Sequence, residues 1–144
     1  MRYTQCMDHQ PPAGFKENAH TADWELEVWA PDLPGLLEQA ARGMYALCGV
    51  RLDCAPRSYR SLHLPYRDAE GLLVGFLSEL LYFSEAERLA FDEFKLTLEV
   101  GTLQAELGGA PILALAKEIK AVTYNELEVK ETARGVEVRI VFDV

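Results

Sequence analysis

The chain has 144 residues, of which 49% are hydrophobic, a length and composition typical of one globular domain. Apolar residues recur along nearly all of it, which excludes disorder of the chain as a whole. Its 14 Lys and Arg against 23 Asp and Glu give a net charge of −9, which argues against broad binding to a phosphate backbone and permits docking onto a basic partner.

The first segment, residues 1–13, contains Pro11-Pro12 and shows no periodicity, so we interpret it as a loose N-terminal arm before a single domain of residues 14–144. Strand character extends from about Gly14 to Ala30 and is interrupted at "HTAD", residues 20–23. After the interruption the residues alternate, with Trp24, Leu26 and Val28 on one face and Glu25, Glu27 and Trp29 on the other.

The first helix is predicted after Pro31, with Asp32 as its N-cap and Pro34 in its first turn, where proline is tolerated. Apolar residues then recur at helical spacing as far as Leu47, and Gly49 is a suitable C-terminal stop.

The second helix is predicted after Asp68, another plausible N-cap. Its apolar face, from Leu72 to Phe83, is wide, which indicates a largely buried helix. The longest apolar run of the chain, "GLLVGFLSELLYF", lies here. It is too short to span a membrane and contains Ser78 and Glu79.

Most of the remaining chain is predicted to be β. Residues 57–67 alternate like a strand, and Pro65 suggests a sheet edge. A hairpin is expected around Gly101-Thr102, where "FKLTLEV" turns into "LQAEL". We expect Gly108-Gly109 to break the chain, "PILALAKEI" to form a short helix or a covering loop, and residues 122–131 and 136–144 to form a second hairpin around "TARG".

In the last strand the alternation places Val136, Val138, Ile140, Phe142 and Val144 on the core face and Asp143 on the polar face. Hairpins outnumber β-α-β crossovers in this order of elements. The predicted fold class is therefore α+β, a single-domain sandwich of mainly antiparallel sheet with two main helices.

The residues give few signs of catalysis. The chain lacks a P-loop, a dinucleotide-binding glycine motif and a nucleophile elbow. Its three cysteines form no C-x-x-C, which suits a reducing compartment, and its N-terminus lacks the apolar core of a signal peptide, so a cytoplasmic location is expected. His20, Thr21 and Asp23 stand at the mouth of a strand, where they form either a capped turn or half of a site.

Several motifs in combination resemble the archease family. They are "HTAD", "PDLPGLLEQAARGMYAL", "FLSELLYF", "EIKAVTYNELEV" and the terminal "VRIVFDV", and they cover the chain from about Phe15 to Val144 in the order that the family has. The family pattern has histidine after "KAVTY", whereas this chain has Asn125, so no role of that imidazole is carried over. The aspartates of the pattern are present.

The resemblance implies an accessory role for an RNA-splicing ligase of the RtcB type. Such a ligase takes GMP from GTP onto a histidine and joins RNA ends, as in tRNA splicing. Archeases promote that guanylylation and allow repeated turnover, and they are not themselves ligases. The resemblance also implies a divalent cation, expected to be Ca²⁺ with Mg²⁺ or Mn²⁺ as alternatives. Its expected ligands are Asp23, Asp143 and Val144 through a backbone or terminal oxygen.

The chemistry of that ligand set is coherent, because hard cations bind carboxylate and carbonyl oxygens and relieve the repulsion of two adjacent carboxylates. Whether Glu79 and Lys120 also contribute to the cation site is left open, and His20 is expected to shape the turn.

Two alternative functions are left open. One is a small metal-dependent hydrolase that uses His20, Asp23 and Asp143, and the other is a chaperone-like module that binds RNA-processing enzymes. Neither stable nucleic-acid binding nor membrane association is expected.

Overall fold

The computed structural model describes residues 12–18, 24–54 and 56–144. The predicted arm, residues 1–13, therefore lies outside the described residues apart from Pro12 and Ala13. The elements in chain order are β1 (Gly14–Asn18), β2 (Trp24–Ala30), α1 (Leu33–Cys48), β3 (Arg51–Leu52), β4 (Ser58–Pro65), α2 (Ala69–Glu87), β5 (Leu89–Glu99), β6 (Thr102–Ala114), β7 (Ala121–Val122), β8 (Lys130–Thr132) and β9 (Gly135–Asp143).

Both helices begin at the aspartates that the sequence predicts. The Oδ1 atom of Asp32 accepts a hydrogen bond from the Gly35 amide at 2.9 Å, and the Oδ1 atom of Asp68 accepts one from the Gly71 amide at 2.7 Å. Each aspartate thereby satisfies an amide that the first turn leaves unpaired. The first helix ends at Gly49, whose φ of 66° is the left-handed conformation that glycine adopts without strain.

The strands form two antiparallel sheets with the helices between them. One sheet has the order β1-β2-β9-β7, with β8 also paired to β9, and the other has the order β3-β6-β4, with β5 also paired to β6. The α1 helix contacts β1 and β2 of the first sheet and β5 of the second. The α2 helix contacts β7 of the first sheet and β4, β5 and β6 of the second. This arrangement confirms the predicted α+β sandwich.

The core lies on both sides of this helical layer. Because α2 faces both sheets, its buried residues, which lie between Leu72 and Leu80, are spread around the helix rather than along one stripe, whereas its last turn is exposed. Burial of each such large side chain contributes about 1.5–3 kcal/mol to folding. The largest side chains that are almost completely buried include Leu36, Leu37, Met44, Leu72, Phe76, Leu77, Phe91 and Phe142. None of the helices in the described part of the chain is both long enough and apolar enough to cross a membrane.

Trp29 is buried although it lies on the outward face of β2 that the alternation predicts. Its side chain is only 5% exposed, and the Arg134 guanidinium lies 4.6 Å from the centre of its ring. Gly14, its partner in β1, leaves room for the ring, since a Cβ at that glycine would lie 2.9 Å from Trp29 Cζ2. The Arg134 side chain covers the Trp29 ring, and the lack of a side chain at Gly14 leaves space for it. An aromatic residue is thereby buried on an otherwise polar face.

Two expectations about the second sheet were wrong. Gly108-Gly109 does not break the chain, because β6 continues through both glycines to Ala114. Pro111 to Ala114 are thus the end of a strand, and only the later part of "PILALAKEI" is a covering segment. The absence of side chains at these glycines lets β5 and β6 approach closely, since a Cβ on Gly109 would lie 1.9 Å from the carbonyl oxygen of Ala90 in β5.

The second predicted hairpin is confirmed only near its turn. β8 pairs with β9 from Lys130 and Glu137 to Thr132 and Gly135, around "TARG". Within the hairpin, hydrogen bonds from Arg134 and Thr132 lower the pKa of the Glu137 carboxyl to about 2. Residues 123–129, which were expected to be strand, instead form a connection from β7 along the edge of β9.

Candidate functional site

Two of the sequence motifs meet at the end of β9. Asp143 pairs with Ala121 of β7, and the Asp143 carbonyl oxygen accepts a hydrogen bond from the Lys120 amide at 2.7 Å. Two residues earlier, the Val141 carbonyl oxygen accepts bonds from both the amide and the hydroxyl of Thr123, at 3.1 Å and 2.9 Å. "KAVTY" and the terminal "VFDV" are therefore paired through their backbones.

The alternation of β9 presents the Asp143 side chain to solvent. Phe142 is fully buried, and its side chain anchors the strand end in the core, so the next side chain must point outward. Asp143 is exposed, and within the described part of the chain its carboxylate takes part in no hydrogen bond or ion pair. Such a carboxylate is free to bind a cation or a partner group.

Asp23, Thr21 and His20 lie outside the described residues. The neighbouring Trp24 is described, and it pairs with Phe142, the residue that precedes Asp143. The residues that are described supply oxygen donors of the kind that Ca²⁺ or Mg²⁺ takes, namely the Asp143 carboxylate and the Val144 carbonyl. They contain no group of three or more His, Cys, Asp or Glu that could hold a metal ion.

Lys117 lies at the same end of the molecule, although sequence reasoning missed it. Its Nζ atom is 4.2 Å from the centre of the Trp24 ring, a cation–π contact. This contact joins the segment after β6 to the start of β2. The segment "LAKEIK" has no periodicity that could have identified this lysine, since the contact depends on how β2 and the segment meet in three dimensions.

The residues whose roles the sequence leaves open make few polar contacts with the other described residues. Lys120 contacts Asp143 through its backbone amide, and its ammonium makes no ion pair with a described residue. Glu79 is half-buried in α2 and makes no hydrogen bond or ion pair in the described part of the chain. Asn125, which replaces the family histidine, is exposed, and its amide donates to Thr123 Oγ1 at 3.2 Å.

A groove of about 380 Å³ lies between the C-terminal half of α2 and the segment of residues 115–122. Sequence reasoning did not predict it, because its two walls are far apart in the chain. Cys48 contributes to its floor and is 4% exposed, and burial raises the pKa of its thiol to about 11. The thiol is therefore protonated and unreactive at neutral pH. The apolar lining is completed by Leu81, Leu115, Ile119, Ala121 and Val122.

Comparison with known proteins gives one consistent result. The family model described as "Archease protein family (MTH1598/TM1083)" matches residues 15–144. The protein archease of Methanosarcina barkeri is 33% identical over 138 residues, which cover 87% of this chain and 92% of that protein. The protein archease of Methanosarcina mazei gives the same identity and coverage.

Two solved structures share the fold. Protein 1598 of Methanobacterium thermoautotrophicum superposes with a TM-score of 0.70 at 23% identity, over 91% of this chain and 99% of that one. TM1083 of Thermotoga maritima, described as "an archease, possible chaperone", superposes with a TM-score of 0.66 at 19% identity, over 97% of this chain and 100% of that one.

Proposed function

This chain belongs to the archease family, and on that premise we propose that it is an accessory protein of an RtcB-type RNA ligase. In this proposal it promotes guanylylation of the ligase by GTP and allows the ligase to turn over repeatedly, as in tRNA splicing, and it is not itself an enzyme. The single observation that carries the proposal is the pairing of "KAVTY" with "VFDV", which leaves the Asp143 carboxylate exposed at a fixed strand end.

The proposal includes a divalent cation, Ca²⁺ first and Mg²⁺ or Mn²⁺ as alternatives. Asp23, Asp143 and a Val144 oxygen would hold it, and the cation would offset the repulsion between the two carboxylates. Support comes from the pairing of Trp24 with Phe142, since the proposed carboxylate ligands are the chain neighbours of these two residues. Burial of Phe142 and the bond from the Lys120 amide hold the Asp143 backbone in place.

The partner in this proposal is the ligase protein, and the RNA is bound by the ligase alone. The net charge of −9 supports that division, because a phosphate backbone repels an acidic surface. We also propose a cytoplasmic location. Cys48 and Cys54 are both unbridged, which fits a reducing compartment.

The test is to add the protein in substoichiometric amounts to the ligase of the same organism and to follow covalent attachment of labelled GMP from GTP. We expect faster guanylylation and more than one ligation per ligase molecule. Asp143→Ala should abolish the effect, whereas Glu99→Ala, which changes an exposed acid at the end of β5 in the other sheet, should not. Equal ligase turnover with and without the protein would contradict the proposal.

The same preparation tests the hydrolase alternative. The isolated protein is incubated with a generic phosphoester and divalent metal in the absence of ligase. Phosphate release that Asp143→Ala removes would favour a hydrolase that uses His20, Asp23 and Asp143. We expect no release above that of the variant.

A further inference from the structure

We propose that the groove between α2 and residues 115–122 is the docking site for a short segment of the partner ligase, one with a large apolar side chain flanked by a basic and an acidic residue. This inference rests on the proposed function and adds to it the surface by which the ligase is held. We call this surface the docking groove. Asp143 does not line the docking groove, but Lys120 and Ala121 line it and also pair with Asp143.

The floor of the docking groove suits an apolar anchor. Its volume of about 380 Å³ is small and within the range of pockets that hold a few side-chain-sized groups. Leu81, Leu115 and Ile119 line it with aliphatic surface, and all three also pack in or against the core, so the floor is firmly supported. A buried anchor in a supported pocket is the usual centre of a protein interface.

The rim carries charges of both signs. Glu85 projects from α2, Arg88 from the cap that ends it, and Glu118 and Lys120 from the opposite wall. All four are exposed, and none forms an ion pair within the described part of the chain. Several other arginines are paired, as in the contacts of Arg57 with Asp92 and Glu93. A rim of two acids and two bases disfavours an occupant of a single sign and matches one that carries both.

Two features place these rim groups at defined positions. Arg88 ends α2 in a left-handed conformation with a φ of 53°, its amide donates to the Phe83 carbonyl, and its own carbonyl accepts from Ile112 at 2.8 Å. A non-glycine residue held in this way projects its side chain from a fixed point. Tyr82, six residues earlier in α2, is 59% exposed beside the apolar floor, and tyrosine is enriched among residues that dominate binding energy.

Continuity with the Asp143 end, which the proposed function assigns to the ligase, is the reason for proposing the ligase as the occupant. Ala121 lines the docking groove and pairs with Asp143, and Lys120 lines it and donates its amide to the Asp143 carbonyl. A protein that engages the Asp143 carboxylate therefore also comes within reach of the docking groove. A second copy of this chain is the competing occupant, and the experiment distinguishes the two.

The experiment titrates the full chain and three variants into the ligase, with direct binding and guanylylation measured in parallel. Tyr82→Ala and the double variant Glu85→Lys/Arg88→Glu alter the docking groove. Tyr59→Ala is the matched control, since Tyr59 is 66% exposed on the other sheet. We expect the dissociation constant and the half-activating concentration to rise about tenfold for the groove variants, with an unchanged plateau of activation. The control should behave like the parent.

Each outcome decides a different point. Groove variants that bind the ligase as tightly as the parent and Tyr59→Ala do would overturn the docking groove. Ligase binding that depends on Tyr82 without any activation would keep the docking groove and overturn the proposed activation. Absence of ligase binding by the parent would overturn both. Self-association that Tyr82→Ala removes, measured by sedimentation without ligase, would assign the groove to a second copy. Melting temperatures equal to the parent's show that the exposed substitutions leave the fold intact.

Discussion

At the scale of single residues, a carboxylate becomes available to a partner when its neighbours fix its backbone and leave its side chain unpaired. Asp143 meets both conditions as far as the described residues go, because Phe142 is buried beside it, the Lys120 amide holds its carbonyl, and its carboxylate pairs with none of those residues. Arg57 shows the contrasting case, since its guanidinium pairs at 2.7 Å with Asp92 and at 2.6 Å with Glu93. Because the Asp92 and Glu93 carboxylates already pair with a guanidinium, they are less available to bind a metal ion.

Asp143→Asn tests the cation directly, since it keeps the shape of the side chain and removes its charge. With Ca²⁺ at a hundredfold excess over its dissociation constant, a bound cation stabilises the fold by about 2.7 kcal/mol. For a domain of this size that corresponds to a rise in Tm of roughly 5–10 °C. We expect the parent to show this rise and the variant to lose most of it.

The comparison is made by melting both proteins in Ca²⁺ and in chelator. In chelator the variant should melt at or above the parent, because under the proposed ligand set it lacks one of two carboxylates that repel each other. Glu99→Gln, an exposed acid on the other sheet, should keep the full calcium effect. If Asp143→Asn gained as much from calcium as the parent does, Asp143 would not be a ligand.

At the scale of elements, local signals predicted the helices better than the strands. Asp32 and Asp68 cap the helices as the sequence indicates, because an N-cap needs only the amides of the following turn. The strand through Gly108-Gly109 was missed, because two adjacent glycines are a local signal for a break and because part of the strand's pairing is with β4, which is distant in sequence. In β5 the register shifts between Phe91 and Glu93, opposite these glycines. No local pattern predicts such a bulge.

Gly109→Ala should reveal how much that pairing depends on the missing side chain. The new Cβ would lie 1.9 Å from the Ala90 carbonyl oxygen and 2.8 Å from Phe91 Cα, so β5 and β6 must separate locally. Because backbone atoms cannot rotate away as side chains do, we expect a loss of at least about 2 kcal/mol in the free energy of unfolding, measured with urea.

Gly75→Ala in α2 is the matched control for that loss. Its Cβ would approach the Leu64 side chain, most closely Cδ2 at 3.2 Å, which is the movable end of that side chain. Alanine also favours the helix over glycine by about 1 kcal/mol. We expect the unfolding free energy of this variant to stay within about 1 kcal/mol of the parent's. Equal effects of the two substitutions would show that the close approach of β5 to β6 does not limit stability.

At the scale of the whole molecule, the candidate site and the docking groove are joined by one short segment. Residues 115–122 form a wall of the groove, contact Trp24 through Lys117 and hold Asp143 through Lys120. The sequence could assign Asp143 to an outward face by alternation. It could not predict the groove, because α2 and this segment meet only when α2 is enclosed between the two sheets.

The net charge acts over longer distances than any of these contacts, and it predicts how association should depend on salt. A formal charge of −9 should speed encounter with a ligase that we expect to be basic around its RNA groove. Exposed charges more than about 8 Å apart are largely screened at physiological ionic strength. We therefore expect the association rate, followed by stopped-flow, to fall by about tenfold or more between low and high salt, while the dissociation rate changes less.

A charge variant separates this long-range steering from specific contacts. Glu126, Glu128 and Glu131 are exposed and lie outside the docking groove, and changing all three to Gln makes the net charge less negative by three units. The only ion pair that this removes within the described residues is Lys130 with Glu128, at 3.9 Å, and a pair this exposed contributes little to stability. The variant should therefore melt like the parent, associate more slowly at low salt and show a shallower salt dependence. At high salt its association rate should converge with the parent's. An association rate that is the same for both proteins at every salt concentration would mean that steering by net charge has no part in docking, and that the groove and the Asp143 end alone determine how the partner is found.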